Sequence, residues 1–122
     1  MGDLHVELAD HVATVTLDRP PVNAVDQATF LEIRQVFESL SANRDVRAVI
    51  FTAAGDRAFM AGVDLRTVGP RDRGPDVLAA LITDPARAVR DAMWAITDCA
   101  VPVIAAVNGP ALGAGLAFAA CC

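Results

Sequence analysis

The chain has 122 residues, 15 acidic and 10 basic side chains and a formal net charge of -5. That length suits one modest domain, and the acidic balance argues against a nucleic-acid binder or a polybasic membrane anchor, which both need a basic surface. Hydrophobic residues make up 54%, which excludes disorder and provides for a real core.

Leu4 to Leu17 alternates in patches and reads as two strands or a hairpin, with Asp10-His11 near its turn. Asp18-Arg19-Pro20-Pro21 ends the strand, because proline has no N–H for a ladder. Asp26 is placed to cap a helix whose apolar positions are Phe30, Ile33, Val36, Phe37 and Leu40, ending around Ser41-Ala42-Asn43. Residues 46–52, nearly continuous in apolar character, read as a buried parallel strand.

A loop with Gly55 and Asp56 follows, then Ala58-Phe59-Met60-Ala61-Gly62-Val63-Asp64-Leu65. Residues 66–76 read as an exposed loop, and Val77 to Ile82 as a short helix. Pro85 suits the first turn of a further helix running to about Asp98, with Met93 and Trp94 expected in the core. Residues 101–107 form a second buried strand, with Pro102 at its start. Asn108-Gly109-Pro110 turns the chain, and Gly113-Ala114-Gly115 leads into a buried helix reaching Cys122. Strands alternating with helices give an α/β layer structure.

The stretch from Cys99 to Cys122 carries no charge and is long enough to test as a membrane span. Its prolines, Asn108 and glycines argue instead for strand, turn and helix. The N-terminus shows no secretory signal. Cys99, Cys121 and Cys122 suggest reduced thiols of a cytosolic protein, packed rather than nucleophilic. His5 and His11 have no cysteine near them, so zinc-type spacing is absent, and they read as surface or strand-edge residues.

Every basic residue is arginine, which closes chemistry that needs lysine, such as a Schiff base or a P-loop contact. Two segments share another logic: 59–64 and 108–115 each read as strand, glycine-bearing turn and helix start. The first N–H groups of a helix lack internal partners, and glycine lets another atom approach the backbone. If the two turns face each other, two N–H donors converge on one oxygen, an oxyanion hole. Either segment alone reads first as a plain structural turn. The second has its glycines in the reverse of the dinucleotide-binding order.

The two segments in this order resemble the enoyl-CoA hydratase/isomerase (crotonase) family. The resemblance begins at Val15-Thr16-Leu17-Asp18-Arg19-Pro20 with Asn23-Ala24-Val25 and continues through residues 49–52 and 58–65. It finishes across residues 101–115, so it covers essentially the whole chain. Family members are about twice this length. Residues 1–122 would thus be the N-terminal part of a single crotonase-like domain, truncated before the C-terminal helical region.

The resemblance implies a spiral of ββα units, assembled as homotrimers or hexamers, that binds acyl-CoA thioesters. No separate cofactor is implied, because coenzyme A is part of the substrate. Carried over by position, the oxyanion-hole donors are the N–H groups of Val63 and Ala114, with Ala61, Gly62, Asp64, Leu65, Arg66 and Gly113 around the substrate. Where hydratases of the family carry a catalytic glutamate, three residues after the second donor, this chain has Ala117. Water addition is therefore doubtful, while a one-base double-bond shift, another acyl-CoA reaction or a silent acyl-CoA-binding subunit stay open.

Individual residues keep plainer readings beside these. Asp64 either orients a ligand or caps a short helix after Val63. Arg66, Arg71 and Arg73 either meet CoA phosphates or lie in a solvated loop. Arg19 touches CoA by family analogy only. A nucleotide-binding α/β domain is a third, weaker reading of the chain.

Overall fold

The computed structural model describes residues 2–67 and 84–122. Strands β1 (Leu4–Ala9) and β2 (Val12–Leu17) form an antiparallel hairpin in full register, Leu4 opposite Leu17 and Ala9 opposite Val12. Asp10 and His11 both have positive φ, 48° and 67°. Such a two-residue left-handed turn matches the twist of the flanking strands.

Helix α1 (Gln27–Ala42) begins where the sequence places it. The Asp26 carboxylate accepts the Thr29 N–H at 3.0 Å and so satisfies one of the helix's unpaired donors. Phe30, Ile33, Phe37 and Leu40 recur at three- and four-residue spacing and are buried, with Val36 packed beside them. The Glu32 carboxylate on the same helix accepts the N–H groups of Asp3 (2.8 Å) and Leu4 (3.2 Å), fastening the start of β1.

The main sheet has the order β1-β2-β4-β6, with β4 (Ala48–Ala53) and β6 (Val103–Ala105) running parallel to β2. Two short strands, β3 (Ala24–Val25) and β5 (Gly62–Val63), form a separate parallel pair. Helix α2 (Asp84–Thr97) packs on α1, and α3 (Ala114–Ala120) follows β6.

One sheet face makes the core: Ala13, Val15 and Leu17 of β2 and Val49, Phe51 and Ala53 of β4 are buried. Phe51 meets both Phe37 and Phe59 edge-on, at centroid distances of 5.4 and 5.5 Å. Phe118 of α3 stacks on Phe30 of α1 at 5.7 Å. Aromatic pairs at this spacing are favourable beyond their buried area, and this one fastens α3 to the body of the fold.

Four expectations are corrected. Strand β4 is not buried on both faces: its residues alternate buried and half-buried, because the helices cover one side of the sheet. The second strand is short and lies at the sheet edge, where Ile104 is 56% exposed. Trp94 is 56% exposed rather than core, since the buried side of α2 is the stripe Ala88, Ala92 and Ile96. The helix expected to run from Leu112 to Cys122 spans Ala114–Ala120 and buries one face, Gly115 and Phe118, while Leu112 and Leu116 stay exposed. The helix expected over residues 77–82, most of the loop over residues 66–76, and Arg71 and Arg73 lie outside the described residues. No helix among the described residues is long and apolar enough to cross a membrane. His5 and His11 are exposed.

Candidate active site

The two glycine-bearing segments meet. Met60 and Ala111 form a parallel bridge. The Pro110 carbonyl accepts the N–H groups of Phe59 (3.1 Å) and Met60 (3.3 Å), and the Met60 carbonyl accepts that of Leu112 (3.1 Å). Two asparagines hold the loops that carry them. Asn23, buried at φ 54°, donates from Nδ2 to the carbonyls of Ala54 (3.0 Å) and Ala58 (2.9 Å). Asn108 donates to those of Ala53 (2.7 Å) and Gly55 (3.0 Å).

Close approach depends on Gly115 and Gly62. A Cβ on Gly115 would stand 2.0 Å from the Met60 carbonyl oxygen. A Cβ on Gly62 would stand 3.0 Å from the Leu112 oxygen and 3.8 Å from the Ala114 nitrogen. Gly62 also has φ 105°, and Gly113 has φ 54° and ψ -118°, backbone states that side chains resist. The Gly113 angles, with the Gly115 N–H donating to the Leu112 carbonyl at 2.8 Å, make residues 112–115 a type II′ turn. Ala114 is the first residue of α3, so its N–H has no partner within the helix.

The first segment departs from the expected strand, turn and helix start. Gly62–Val63 is itself the strand β5, paired with Ala24–Val25, and Asp64 donates its N–H to the Val25 carbonyl at 2.7 Å. Asp64 opens a turn instead of capping a helix within the described residues. Its Oδ1 accepts the Arg66 N–H (3.0 Å), and its carbonyl accepts the N–H (3.0 Å) and hydroxyl (2.7 Å) of Thr67. Among the described residues, the helix-dipole argument therefore applies to the second segment only.

Asp64 is 4% exposed and fully occupied. Arg66 grips it with Nε (2.9 Å) and Nη2 (2.7 Å), and Arg19 donates from Nη1 at 3.0 Å. The Arg66 guanidinium, then that of Arg19, holds the Asp64 carboxyl well below the usual carboxylate range, against the effect of burial. A carboxylate so engaged is a poor proton acceptor, which removes Asp64 as a general base. Arg66 is exposed but committed to this pair.

Because folding depresses the Asp64 pKa, its contribution to stability is complete above the unfolded carboxyl's pKa near 4 and is lost as pH falls below it. Thermal unfolding of the wild type should therefore weaken steeply below about pH 4. Asp64→Asn should start lower and fall less steeply; parallel curves would show that the pair contributes nothing to the acid limb.

Arg19 is the residue whose role the sequence hid most. Beyond Asp64 it contacts the carboxylates of Asp3 (3.2 Å) and Asp26 and the carbonyl of Ala24. The side chain touches residues far apart in sequence, so no local pattern signals it. Asn23 and Asn108 were legible only as parts of the family resemblance. Cys122 lies past the end of α3 and is exposed, against the expectation of a packed cysteine; partial burial of its sulfur, with the neighbouring Cys121, pushes its thiol up to about 11 and disfavours the thiolate. Among the described residues, no group of His, Cys, Asp or Glu side chains could hold a metal ion.

With this geometry in place, comparison with known proteins is decisive. Residues 7–122 match the enoyl-CoA hydratase/isomerase family. The chain belongs to that family. It is 43% identical over 105 residues to a (7aS)-7a-methyl-1,5-dioxo-2,3,5,6,7,7a-hexahydro-1H-indene-carboxyl-CoA hydrolase of Mycobacterium tuberculosis, covering 86% of this chain and 40% of the relative. A carnitinyl-CoA dehydratase of Citrobacter koseri is 35% identical over 121 residues, covering 95% of this chain and 42% of the relative. Among solved structures, Pseudomonas aeruginosa DspI superposes with a TM-score of 0.86 at 34% identity, over 100% of this chain and 44% of that one. An enoyl-CoA hydratase from Bacillus anthracis gives 0.84 at 28% identity, over 99% and 45%.

The fold is accordingly crotonase-like, and the chain spans less than half the length of these relatives. The meeting of the two glycine turns lies inside the region shared with the enoyl-CoA hydratase/isomerase family.

Proposed function

We propose that the protein is a crotonase-type acyl-CoA enzyme in which the backbone N–H groups of Val63 and Ala114 hold one thioester oxygen. Residues 1–122 are then the N-terminal part of its single crotonase-like domain. The observation that carries this reading is the approach of Gly62 to Ala114, where even an added Cβ would stand 3.8 Å from the Ala114 nitrogen. Donors fixed by a folded backbone need no reorganisation as charge develops on the oxygen of an enolate, and one such donor is worth about 3 kcal/mol. Ala61, Gly62, Leu65 and Gly113 line the approach to that oxygen. Asp64 and Arg66 border it, held to each other.

Ala117 sits one turn along α3 from Ala114, where a hydratase of this family would carry glutamate. A methyl group moves no protons, and the chain has no carboxylate between Asp98 and Cys122. Double-bond isomerisation with one base, or another acyl-CoA reaction, fits better than water addition. The similarity to an indene-carboxyl-CoA hydrolase supports chemistry other than hydration. The same Ala117 favours the second reading, an acyl-CoA-binding subunit of this fold without turnover. Homotrimeric or hexameric assembly, in fatty-acid or related acyl-CoA metabolism, completes the proposal.

The test is spectrophotometric. The intact protein is incubated with crotonyl-CoA and, separately, with a 3-enoyl-CoA. The conjugated enoyl-thioester absorbance should persist with the first and grow with the second. Loss of absorbance with crotonyl-CoA would restore hydration. Tight binding with no change in either would favour the silent subunit.

A further inference from the structure

We infer that Arg19 is a positioning residue that sets the Val63 amide opposite the Ala114 amide; this rests on the acyl-CoA reading above. The Val63 amide belongs to β5, a strand of two residues paired, among the described residues, only with the two residues of β3. So short a ladder is marginal by itself. Arg19 bridges its two strands. One guanidinium nitrogen donates both to the Ala24 carbonyl on β3 and to the Asp64 carboxylate directly after Val63.

The remaining nitrogens tie this clamp to fixed points. Nη2 bonds Asp26, the cap of α1, and Nε meets Asp3, ahead of β1. The Arg19 backbone N–H in turn donates to Oδ1 of Asn23 at 2.9 Å. The Arg19 side chain is itself largely buried, at 21% exposure. On the other side, the Ala114 amide is fixed to the same frame through Met60, by the bridge to Ala111 and the bond from Leu112. The gap between the two amides is thus set by Met60 on one flank and by Arg19 on the other. Lysine offers no planar fork to span a carbonyl and three carboxylates, which accounts for arginine at this position.

An oxyanion site tolerates little displacement: an error of about 1 Å can cost on the order of 100-fold in rate. Arg19→Met in the intact protein should lower kcat by about that factor on the enoyl-CoA that the wild type consumes, with KM little changed. A purely structural loss would reduce the amount of active protein without touching the substrate carbonyl, so the deciding readout is the carbonyl itself. Difference infrared spectra of bound [1-13C]butyryl-CoA, a saturated thioester that cannot be hydrated or isomerised, report its polarisation. The wild type should shift the thioester C=O stretch down. Arg19→Met should return it toward the free value.

Asp64→Asn serves where Arg19→Met does not fold, since it keeps the Arg19 contacts to Ala24, Asp26 and Asp3 and weakens the link to β5, together with the pair with Arg66. It should give the same spectral change in smaller measure. A wild type that binds the thioester without shifting its carbonyl would overturn the acyl-CoA reading itself. A shift in the wild type that both variants retain would overturn the role of Arg19 alone.

Discussion

Replacing Gly115 with alanine is expected to destabilise the protein by about 3 kcal/mol, at the upper end for overpacking. The added methyl would stand 2.0 Å from the Met60 carbonyl oxygen and 2.9 Å from the Met60 carbonyl carbon and Cβ. These are largely backbone atoms already committed to the bridge with Ala111 and the bond from Leu112. The helix must therefore retreat, and retreat loosens the stack of Phe118 on Phe30. Gly113→Ala makes a useful contrast. Its Cβ would enter open space, so only backbone strain is added, of about 1–3 kcal/mol. Chemical denaturation of both variants separates clash from strain. A Gly115→Ala protein as stable as the wild type would show that the two segments are not in contact.

Gly62→Ala should strike activity harder than stability. Gly62 has φ 105°, where alanine is strained, and its Cβ would press on the Leu112 carbonyl at 3.0 Å. Relief of that pressure separates β5 from the turn that carries Ala114. Both proposed donors then leave their common target, and activity on the preferred acyl-CoA should fall at least about 100-fold. Binding should weaken less, because the rest of the acyl-CoA is untouched. Steady-state kinetics beside a folding check by circular dichroism would measure it. A folded Gly62→Ala protein with wild-type kcat would remove this contact from the reaction.

Much of the fold was legible where the signal is local. The hairpin follows from alternation up to Asp10-His11, and α1 from a carboxylate cap with apolar residues at helical spacing. What failed depends on neighbours. The exposure of Ile104 is decided by which strand ends the sheet, and that of Trp94 by which side of α2 meets α1, and a sequence states neither. The first glycine segment looked like a helix start because Gly62-Val63-Asp64 offers a turn residue and a capping carboxylate. Pairing with β3 took precedence, and β3 is too short to be read from its own sequence. The opposition of the two turns was readable only through the family resemblance, since it joins residues on either side of a long intervening segment. The Arg19 cluster was hidden for the same reason: its partners Asp3, Asp26 and Asp64 are scattered along the chain.

The most direct test is a crystal structure of the intact protein with a bound acyl-CoA that it cannot turn over. The thioester oxygen should lie within hydrogen-bonding distance, about 2.7–3.1 Å, of both the Val63 and Ala114 nitrogens. A thioester oxygen bonded elsewhere, with either amide turned away from it, would rule out the shared oxyanion site.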